Sequence, residues 1–226
     1  MNELILTLTV YALPVLFAVT LHEAAHAYAA RHFGDTTAYS QGRMSLNPAK
    51  HIDLFGTILI PVVLFLAHSP FLFGYAKPVP IDASRLRNPK RDMAWVALAG
   101  PAANFFMATV WQVLAVCLDA AHVSEPFFNE MARAGVWTNL VMFALNLFPI
   151  PPLDGGRILT SLLPSRIAYK FARIEPYGFS IVMTLVMLHL MYFWMAPIMA
   201  VADAVLRLIT PSLITSLLST MADYVS

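Results

Sequence analysis

Long apolar runs without a charged residue dominate the pattern of the chain. Five long runs, and a shorter one rich in Ser and Thr, occupy in chain order residues 4–21, 54–76, 93–117, 134–153, 176–202 and 208–222. A helix needs about 20 mostly apolar residues to span a bilayer. The pattern therefore predicts an all-α polytopic membrane protein, with five to six membrane segments in a single domain over residues 1–226.

The charged residues between the runs predict how the segments are oriented. Residues 73–92 and 154–175 contain Lys or Arg at nine positions, whereas residues 117–132 contain three acidic residues and neither Lys nor Arg. Lys and Arg favour the cytoplasmic side of a membrane. We therefore expect the N-terminus outside, the first run leading inward, and the fourth run returning to the cytoplasmic face.

The run at 54–76 does not fit a simple span, because both of its flanks are predicted to be cytoplasmic. A re-entrant hairpin that turns near Pro61, or around Ser69 and Pro70, reconciles the two. Non-helical backbone at membrane depth is tolerated where it is buried in protein or faces water. A true span that departs from the charge rule is the alternative, since the rule is statistical.

One motif in the first run has the spacing of a metal site. Residues 22–26 read His-Glu-Ala-Ala-His, and residues four apart in a helix share a face. Both imidazoles, His22 and His26, can thus reach one ion, while Glu23 lies about 100° round the helix and can act on water. Zinc suits this set, because catalytic zinc takes three protein ligands and keeps one open position.

Membrane depth and rarity both strengthen the metal interpretation of this motif. Ionisable side chains inside a bilayer cost about 2.5–3.5 kcal/mol each on insertion scales, so three of them within five residues need a partner. At this composition, chance produces the motif about 0.005 times in a chain of 226 residues. The alternative is a pair of surface histidines beside an ion-paired glutamate, and both arguments disfavour it.

Asp154 is the candidate third ligand. It ends the fourth run, which returns to the cytoplasmic face, and His22 and His26 approach the same face from the first run. Prolines before Asp154 interrupt the helix, and two glycines after it allow a close approach of the backbone. The alternative role for Asp154 is an N-cap for a helix at 158–163, since Asp is a favoured cap residue.

Composition narrows the class of protein further. The chain is 59% hydrophobic and 12% charged, whereas soluble domains contain about 25% charged residues. Its formal net charge of +1 provides no basic field, so no nucleic-acid partner is expected. The single cysteine excludes a zinc site built from several cysteines.

The two candidate metal segments together resemble those of the site-2 protease family of intramembrane zinc metalloproteases. Residues 22–26 are similar to the family's H-E-x-x-H helix, and residues 99–104, Ala-Gly-Pro-Ala-Ala-Asn, resemble a small-residue segment found in many members. The later segment resembles the family pattern N-x-x-P-x-P-x-x-D-G, with matches at Asn146, Pro149, Pro151, Asp154 and Gly155.

The resemblance implies a role for each matching residue. It implies that His22, His26 and Asp154 bind one zinc ion per chain and that Glu23 is the catalytic base. It further suggests that Asn146 holds substrate or the developing oxyanion.

The small-residue segment adds one more candidate, Asn104. This side chain either supports the site from behind the ligands or makes an interhelical hydrogen bond, which is common in membranes. In the family, short β-strands near the active site pair with unwound substrate, and they are expected here at 40–47 and 77–81.

The resemblance also predicts a compact member of the family. Several members carry a PDZ domain, but neither residues 76–93 nor residues 117–132 are long enough for one, so no PDZ domain is expected. The expected core comprises residues 4–33, 93–117 and 134–157, with accessory helices at 176–222.

The chain as a whole is predicted to be an intramembrane zinc endopeptidase that cuts within or next to transmembrane segments, as in regulated intramembrane proteolysis. Its expected partners are a transmembrane protein substrate and the lipid bilayer. The expected location is the cytoplasmic membrane of a prokaryote, with the active site toward the cytoplasmic face. One alternative is a membrane zinc hydrolase acting on signal-peptide remnants or small amides. A zinc transporter or sensor is another, which ligands clustered toward one face disfavour.

Overall fold

The computed structural model describes residues 2–59, 63 and 76–225, and within them every regular element is helical. Within these ranges, short 3₁₀ turns are found at Pro48–Lys50 and Ala83–Arg85, and a π-helical turn at Leu54–Leu59. The α-helices are α1 (Asn2–His32), α2 (Thr37–Ser40), α3 (Pro89–Ala120), α4 (Pro126–Asn146), α5 (Asp154–Leu162), α6 (Ser165–Ala172), α7 (Glu175–Met187) and α8 (Met191–Val225).

Three of the described helices are long and apolar enough to cross a membrane. The qualifying stretches are Leu6–His32, Pro89–Ala120 and Met191–Pro211. They support the all-α polytopic membrane class but are fewer than the five to six predicted segments. Helix α4 has 21 residues but carries Glu130 and Arg133 in its first half, and α7, with 13 residues, is too short to span alone.

The β-strands expected at 40–47 and 77–81 are absent from the part of the chain that the structure describes, so that prediction is wrong. Residues 40–47 instead leave α2 through a turn, in which the N–H of Arg43 donates to the carbonyl of Ala38 at 2.8 Å. A backbone N–H used in a helix-ending turn is not free to join a strand ladder.

Residues 76–82, here called the extended segment, have no regular structure, and their backbone groups bond to loops and side chains. The N–H of Lys77 donates to the carbonyl of His51 at 2.9 Å, and that of Asp82 donates to the carboxylate of Asp35 at 2.7 Å. The two prolines of the segment have no N–H to donate. The backbone donors of this segment are therefore used by loops and side chains, and no sheet forms there.

The predicted re-entrant hairpin at 54–76 is described only at its start. Leu54–Leu59 form the π-helical turn, and the carboxylate of Asp53 accepts two N–H groups of this turn at 3.0 and 2.7 Å. The predicted turning point lies outside the described residues, so the hairpin stays a prediction.

Helices α1, α3 and α4 pack against one another, and α5 packs on α3. Many buried residues of α1 and α3 are small, which lets the backbones of these helices approach closely. These small residues are Ala18, Ala24, Ala27, Ala30, Ala97, Gly100 and Ala108. Helix α8 covers another side of the bundle, where Ala202 and Leu206 meet Ala108 and Leu140. The close packing brings polar side chains of different helices together in the interior.

Candidate metal centre

Buried polar residues of α1 and α5 meet at one point. The Nε2 atoms of His22 and His26 lie 3.1 Å apart, and Oδ2 of Asp154 lies 3.2 Å from the first and 3.3 Å from the second. The two imidazoles lie one helical turn apart with their ring planes at 88°, and all three residues are only 5% exposed. Among the described residues, these three form the one group of His, Cys, Asp or Glu placed to share an ion.

A tight turn after α4 delivers Asp154 to this point. Helix α5 begins at Asp154, with Leu153 in the cap position, so Asp154 is not the N-cap of a later helix. A Cβ atom added at Gly155 would lie 2.2 Å from the carbonyl oxygen of Leu147, closer than real Cβ contacts. Glycine at this position thus permits the chain to fold back and bring the Asp154 carboxylate against α1.

Hydrogen bonds on the far side of each imidazole decide which nitrogen carries the proton. His26 Nδ1 lies 2.7 Å from the carbonyl oxygen of Val96, and a carbonyl can only accept, so this nitrogen donates and, in the neutral ring, Nε2 keeps its lone pair. His22 Nδ1 lies 2.6 Å from Oδ1 of Asn104. The Asn104 amide nitrogen donates to the carbonyl of Ala18 at 3.1 Å, so the amide oxygen faces His22 and sets the same tautomer.

When both rings are neutral, as metal binding requires, three acceptor atoms without a donor between them face one another inside the protein. Oδ2 of Asp154 is buried and has no hydrogen-bond partner. Such a set is repulsive by itself, and a cation at its centre stabilises it. Tetrahedral zinc with bonds of about 2.0–2.2 Å sets its ligand atoms about 3.3–3.6 Å apart. The chemistry, burial and spacing of His22, His26 and Asp154 fit zinc.

Glu23 lies on α1 next to these residues but outside the group of three. It is half-buried, and its Oε2 accepts the backbone N–H of Val79 at 2.7 Å. Val79 stands between two prolines of the extended segment, so it supplies the one N–H of that tripeptide. The predicted base is thus held by a loop, whereas the two histidines are held by helices.

The two asparagines predicted near the site differ in their contacts. Asn104 contacts His22 directly and also donates to Oδ1 of Asn139 on α4 at 3.1 Å, so it is both a support of the ring and an interhelical contact. Asn146 donates its amide N–H to the carbonyl of Met142 in its own helix at 3.0 Å. Its role toward substrate or oxyanion stays a prediction.

Two supports of the site were not predicted from the sequence. Gly100 on α3 faces both imidazoles, and a Cβ atom there would lie 2.3 Å from Nε2 of His26 and 2.6 Å from Cε1 of His22. The sequence feature that could have identified Gly100 is a glycine inside an apolar helical run, since such a glycine often marks a close approach of another group to the helix backbone. No feature of the sequence could have identified the Val79 N–H as the partner of Glu23, since every residue type except proline carries the same backbone donor.

The comparisons with known proteins agree with this geometry. The model of peptidase family M50 matches residues 10–136 and 119–189, well over half of the chain. YwhC of Bacillus subtilis (strain 168), named as a candidate zinc metalloprotease, is 36% identical over 200 residues, which cover 86% of this chain and 88% of YwhC. Rip2 of Mycolicibacterium smegmatis, named likewise, is 32% identical over 171 residues, 75% of this chain and 63% of Rip2. The zinc metalloprotease MJ0392 of Methanocaldococcus jannaschii is 24% identical over 152 residues, 67% of this chain and 34% of MJ0392.

No solved structure matches the chain significantly. The family match and the relative at 36% identity both extend over most of the chain, and the predicted resemblance is therefore confirmed. Three helices of the described part are long and apolar enough to cross a membrane, which supports an integral membrane protein. The chain belongs to peptidase family M50, the site-2 protease family, and is a membrane-embedded zinc metalloendopeptidase.

Proposed function

We propose that the protein is an intramembrane protease that hydrolyses peptide bonds within or next to transmembrane segments of other proteins, in regulated intramembrane proteolysis. The observation that carries this proposal is the buried group of His22, His26 and Asp154, because two of its members lie within a helix long enough to span a bilayer. A peptide bond must reach that depth to be cut. Transmembrane segments of substrate proteins bring peptide bonds to this depth.

The three acceptor atoms described above would hold one zinc ion per chain. When bound, zinc supplies Lewis acidity, which polarises a carbonyl group and makes water a better nucleophile near neutral pH. The hydrogen bonds at both Nδ1 atoms would leave the Nε2 lone pairs of His22 and His26 available to hold the ion. The Asp154 carboxylate adds the negative charge that balances part of a divalent cation.

Glu23 acts first as a general base and then as a general acid. Its carboxylate accepts a proton from the attacking water as the water oxygen bonds to the scissile carbonyl carbon. It returns that proton to the leaving amine as the carbon–nitrogen bond breaks. The Val79 N–H binds one carboxylate oxygen, which leaves the other available for the proton. We also assign the Asn146 amide to the developing oxyanion, for which it must leave its bond to the Met142 carbonyl.

A cavity with both polar and apolar lining residues supports access of water. Its volume is about 270 Å³, and Val79, the residue that holds Glu23, forms part of its wall. Hydrolysis needs water at a site that lipid surrounds, and we assign this cavity as the route. Its polar lining residues are Arg157, Thr160, Ser161 and Glu175.

The substrate helix must unwind before it can be cut, because a helix keeps its peptide groups in its own hydrogen bonds. Each freed group costs several kcal/mol in hydrocarbon unless it finds a partner. Proline or glycine in the substrate segment lowers this cost, so substrates with such residues should be cleaved faster.

We place the protein in the cytoplasmic membrane of a prokaryote, with its N-terminus outside and its active site toward the cytoplasmic face. The distribution of Lys and Arg supports this orientation. A cysteine at Ser124, in the loop between α3 and α4, should react with an impermeant reagent from the outside when Cys117 is replaced by Ser. Reaction from the cytoplasmic side alone would reverse the orientation.

The decisive experiment compares purified wild type with Glu23→Gln in lipid vesicles that contain a single-span test substrate. Glu23→Gln should retain zinc and lose cleavage by about 10²–10⁴-fold, the usual contribution of a general base. Glu125→Gln is the control, because Glu125 is an exposed carboxylate before α4. Cleavage by Glu23→Gln at the wild-type rate would refute the mechanism. Exclusive cleavage of soluble peptides would instead refute the intramembrane substrate.

Asp154→Ala tests the third ligand. Its zinc affinity should fall markedly, because the remaining two imidazoles do not complete the set that zinc requires. An unchanged zinc affinity would remove Asp154 from the metal site while leaving the role of Glu23 intact.

A further inference from the structure

A chain of buried hydrogen bonds connects α4 to the His22 ring. The amide nitrogen of Asn139 donates to the carbonyl of Gly135 in its own helix at 2.8 Å, and its Oδ1 accepts the amide N–H of Asn104 at 3.1 Å. Asn104 donates in addition to the carbonyl of Ala18 at 3.1 Å and accepts from His22 Nδ1 at 2.6 Å. Both asparagines are 0% exposed, so no water competes for these bonds.

Two backbone carbonyls fix the direction in which each hydrogen bond between α4 and His22 runs. The carbonyl of Gly135 can only accept, so the Asn139 amide nitrogen faces it and the Asn139 oxygen faces Asn104. The carbonyl of Ala18 can also only accept, so Asn104 directs both of its N–H groups at acceptors and its oxygen at His22. In the neutral ring the proton of His22 is thereby kept on Nδ1, and Nε2 is left with its lone pair.

We propose that Asn139 is a positioning residue of the metal centre, which holds the Asn104 amide in the orientation that keeps the His22 proton on Nδ1. The inference rests on the proposed role of His22 as a zinc ligand. If the Asn104 amide turned over, its N–H would face Nδ1, and the proton would then occupy Nε2 and block the metal-binding lone pair. With Asn139 in place, the turned amide oxygen would face two acceptors. Without Asn139, only the Ala18 carbonyl opposes the turn.

A purely structural role makes a different prediction for the same residue. The hydrogen bonds of Asn139 go to Asn104 and Gly135 and to none of the three proposed ligands, so a role limited to packing α3 against α4 would change stability alone. A positioning role must change the metal affinity, and it must do so through Asn104. The affinity for zinc and its dependence on Asn104 therefore separate the two roles.

The first measurement is the zinc affinity of the full chain in detergent micelles, by competition with a chelator of known affinity. Asn139→Leu should weaken zinc binding about 10–100-fold, as the loss of residues that orient metal ligands typically does. The visible absorption of the Co²⁺-substituted protein should change with it, since that spectrum reports ligand geometry without any protease activity. The matched control is Asn129→Leu, because Asn129 lies on α4 and bonds to the carbonyls of Val123 and Glu125 instead.

The second measurement repeats the comparison in an Asn104→Ala background. There Asn139→Leu should change the zinc affinity by no more than about twofold, because the route to His22 is already removed. A wild-type affinity in Asn139→Leu, or an equal loss in both backgrounds, would overturn the inference. Asn139→Ala replaces the leucine variant if the latter does not fold. If the wild type itself bound no zinc, the proposed function would be overturned. Failure of the proposed function is therefore distinguishable from failure of the role assigned to Asn139.

Discussion

Gly100 leaves open the space that the two imidazoles occupy, and filling it is the sharpest test of the candidate metal centre. A Cβ atom at this position would lie 2.3 Å from Nε2 and 2.5 Å from Cε1 of His26, and 2.6 Å from Cε1 of His22. Non-bonded heavy atoms prefer separations of about 3.5 Å or more. Gly100→Ala must therefore displace the rings, or α3 as a whole, by about 1 Å.

A displacement of this size exceeds what a metal site tolerates. Ligands must be held within about 0.5 Å of their productive positions. Misplacement by about 1 Å typically costs about 10²-fold in function. We therefore expect Gly100→Ala to lower the zinc affinity at least about 100-fold, which corresponds to about 2.7 kcal/mol.

The helix propensities of glycine and alanine predict that the same substitution stabilises α3, although it should weaken zinc binding. Alanine is favoured over glycine in a helix interior by about 0.8–1.0 kcal/mol, so α3 itself gains stability from Gly100→Ala. A loss of zinc therefore cannot be attributed to a weakened helix.

The assay is zinc content and affinity of the purified variant in detergent, with thermal unfolding measured on the same samples. Ala102→Ser is the matched control, because it adds one heavy atom at an exposed position of the same helix. The control should bind zinc as the wild type does. If Gly100→Ala also binds zinc with wild-type affinity, the imidazoles do not lie against Gly100 and the described geometry is wrong.

Two further predictions concern the base and the ion. Val79→Pro removes the N–H that binds Glu23 and should lower kcat about tenfold or more while zinc affinity is retained, since a hydrogen bond to a charged group contributes about 1.5–3 kcal/mol. Val79→Ala keeps that N–H and should keep kcat, and an unchanged kcat in Val79→Pro would show that the bond does not position the base. Removal of zinc by a chelator should lower the unfolding midpoint, because a ligand at one hundred times its Kd stabilises the folded state by about 2.7 kcal/mol. His22→Ala should lose this response, and a wild-type midpoint that ignores the chelator would argue against a bound ion.

The grouping of His22, His26 and Asp154 was accessible from the sequence because independent rules lead to the same point. Spacing of four residues in a helix places the two imidazoles on one face, without knowledge of any other element. The charge rule then brings the end of the fourth run to the same side of the membrane as these histidines. The structure places all three side chains together, and their role as ligands is the part that experiment must test.

The hydrogen-bond partners of the extended segment could not be predicted in the same way. Residues 77–81 were predicted as a strand because their prolines exclude a helix, and the structure shows no regular element there. The pattern does not say whether their N–H groups meet a neighbouring strand or a side chain. Here the N–H of Val79 binds Glu23 and that of Asp82 binds Asp35, so side chains use these donors and no strand forms.

Asn139 illustrates a second limit of sequence reasoning. A single asparagine in an apolar run is typical of an interhelical hydrogen bond, and Asn139 does make one. Its position behind a metal ligand depends on how α4 is rotated against α3. That rotation is set by packing contacts, such as Gly135 against Trp111, where a Cβ atom would lie 2.2 Å from the indole ring.

The supports of the metal group and of the base belong to different parts of the molecule. The His22 ring is held through Asn104 on α3, and the His26 ring by a carbonyl of the same helix. Glu23 is held by a backbone N–H of the extended segment. Because helix packing and loop position respond to different substitutions, zinc affinity and turnover should separate. Changes between the helices should act mainly on zinc affinity, and changes in the extended segment should act mainly on kcat. A movement of the extended segment as substrate enters would therefore reorient the base without releasing the ion.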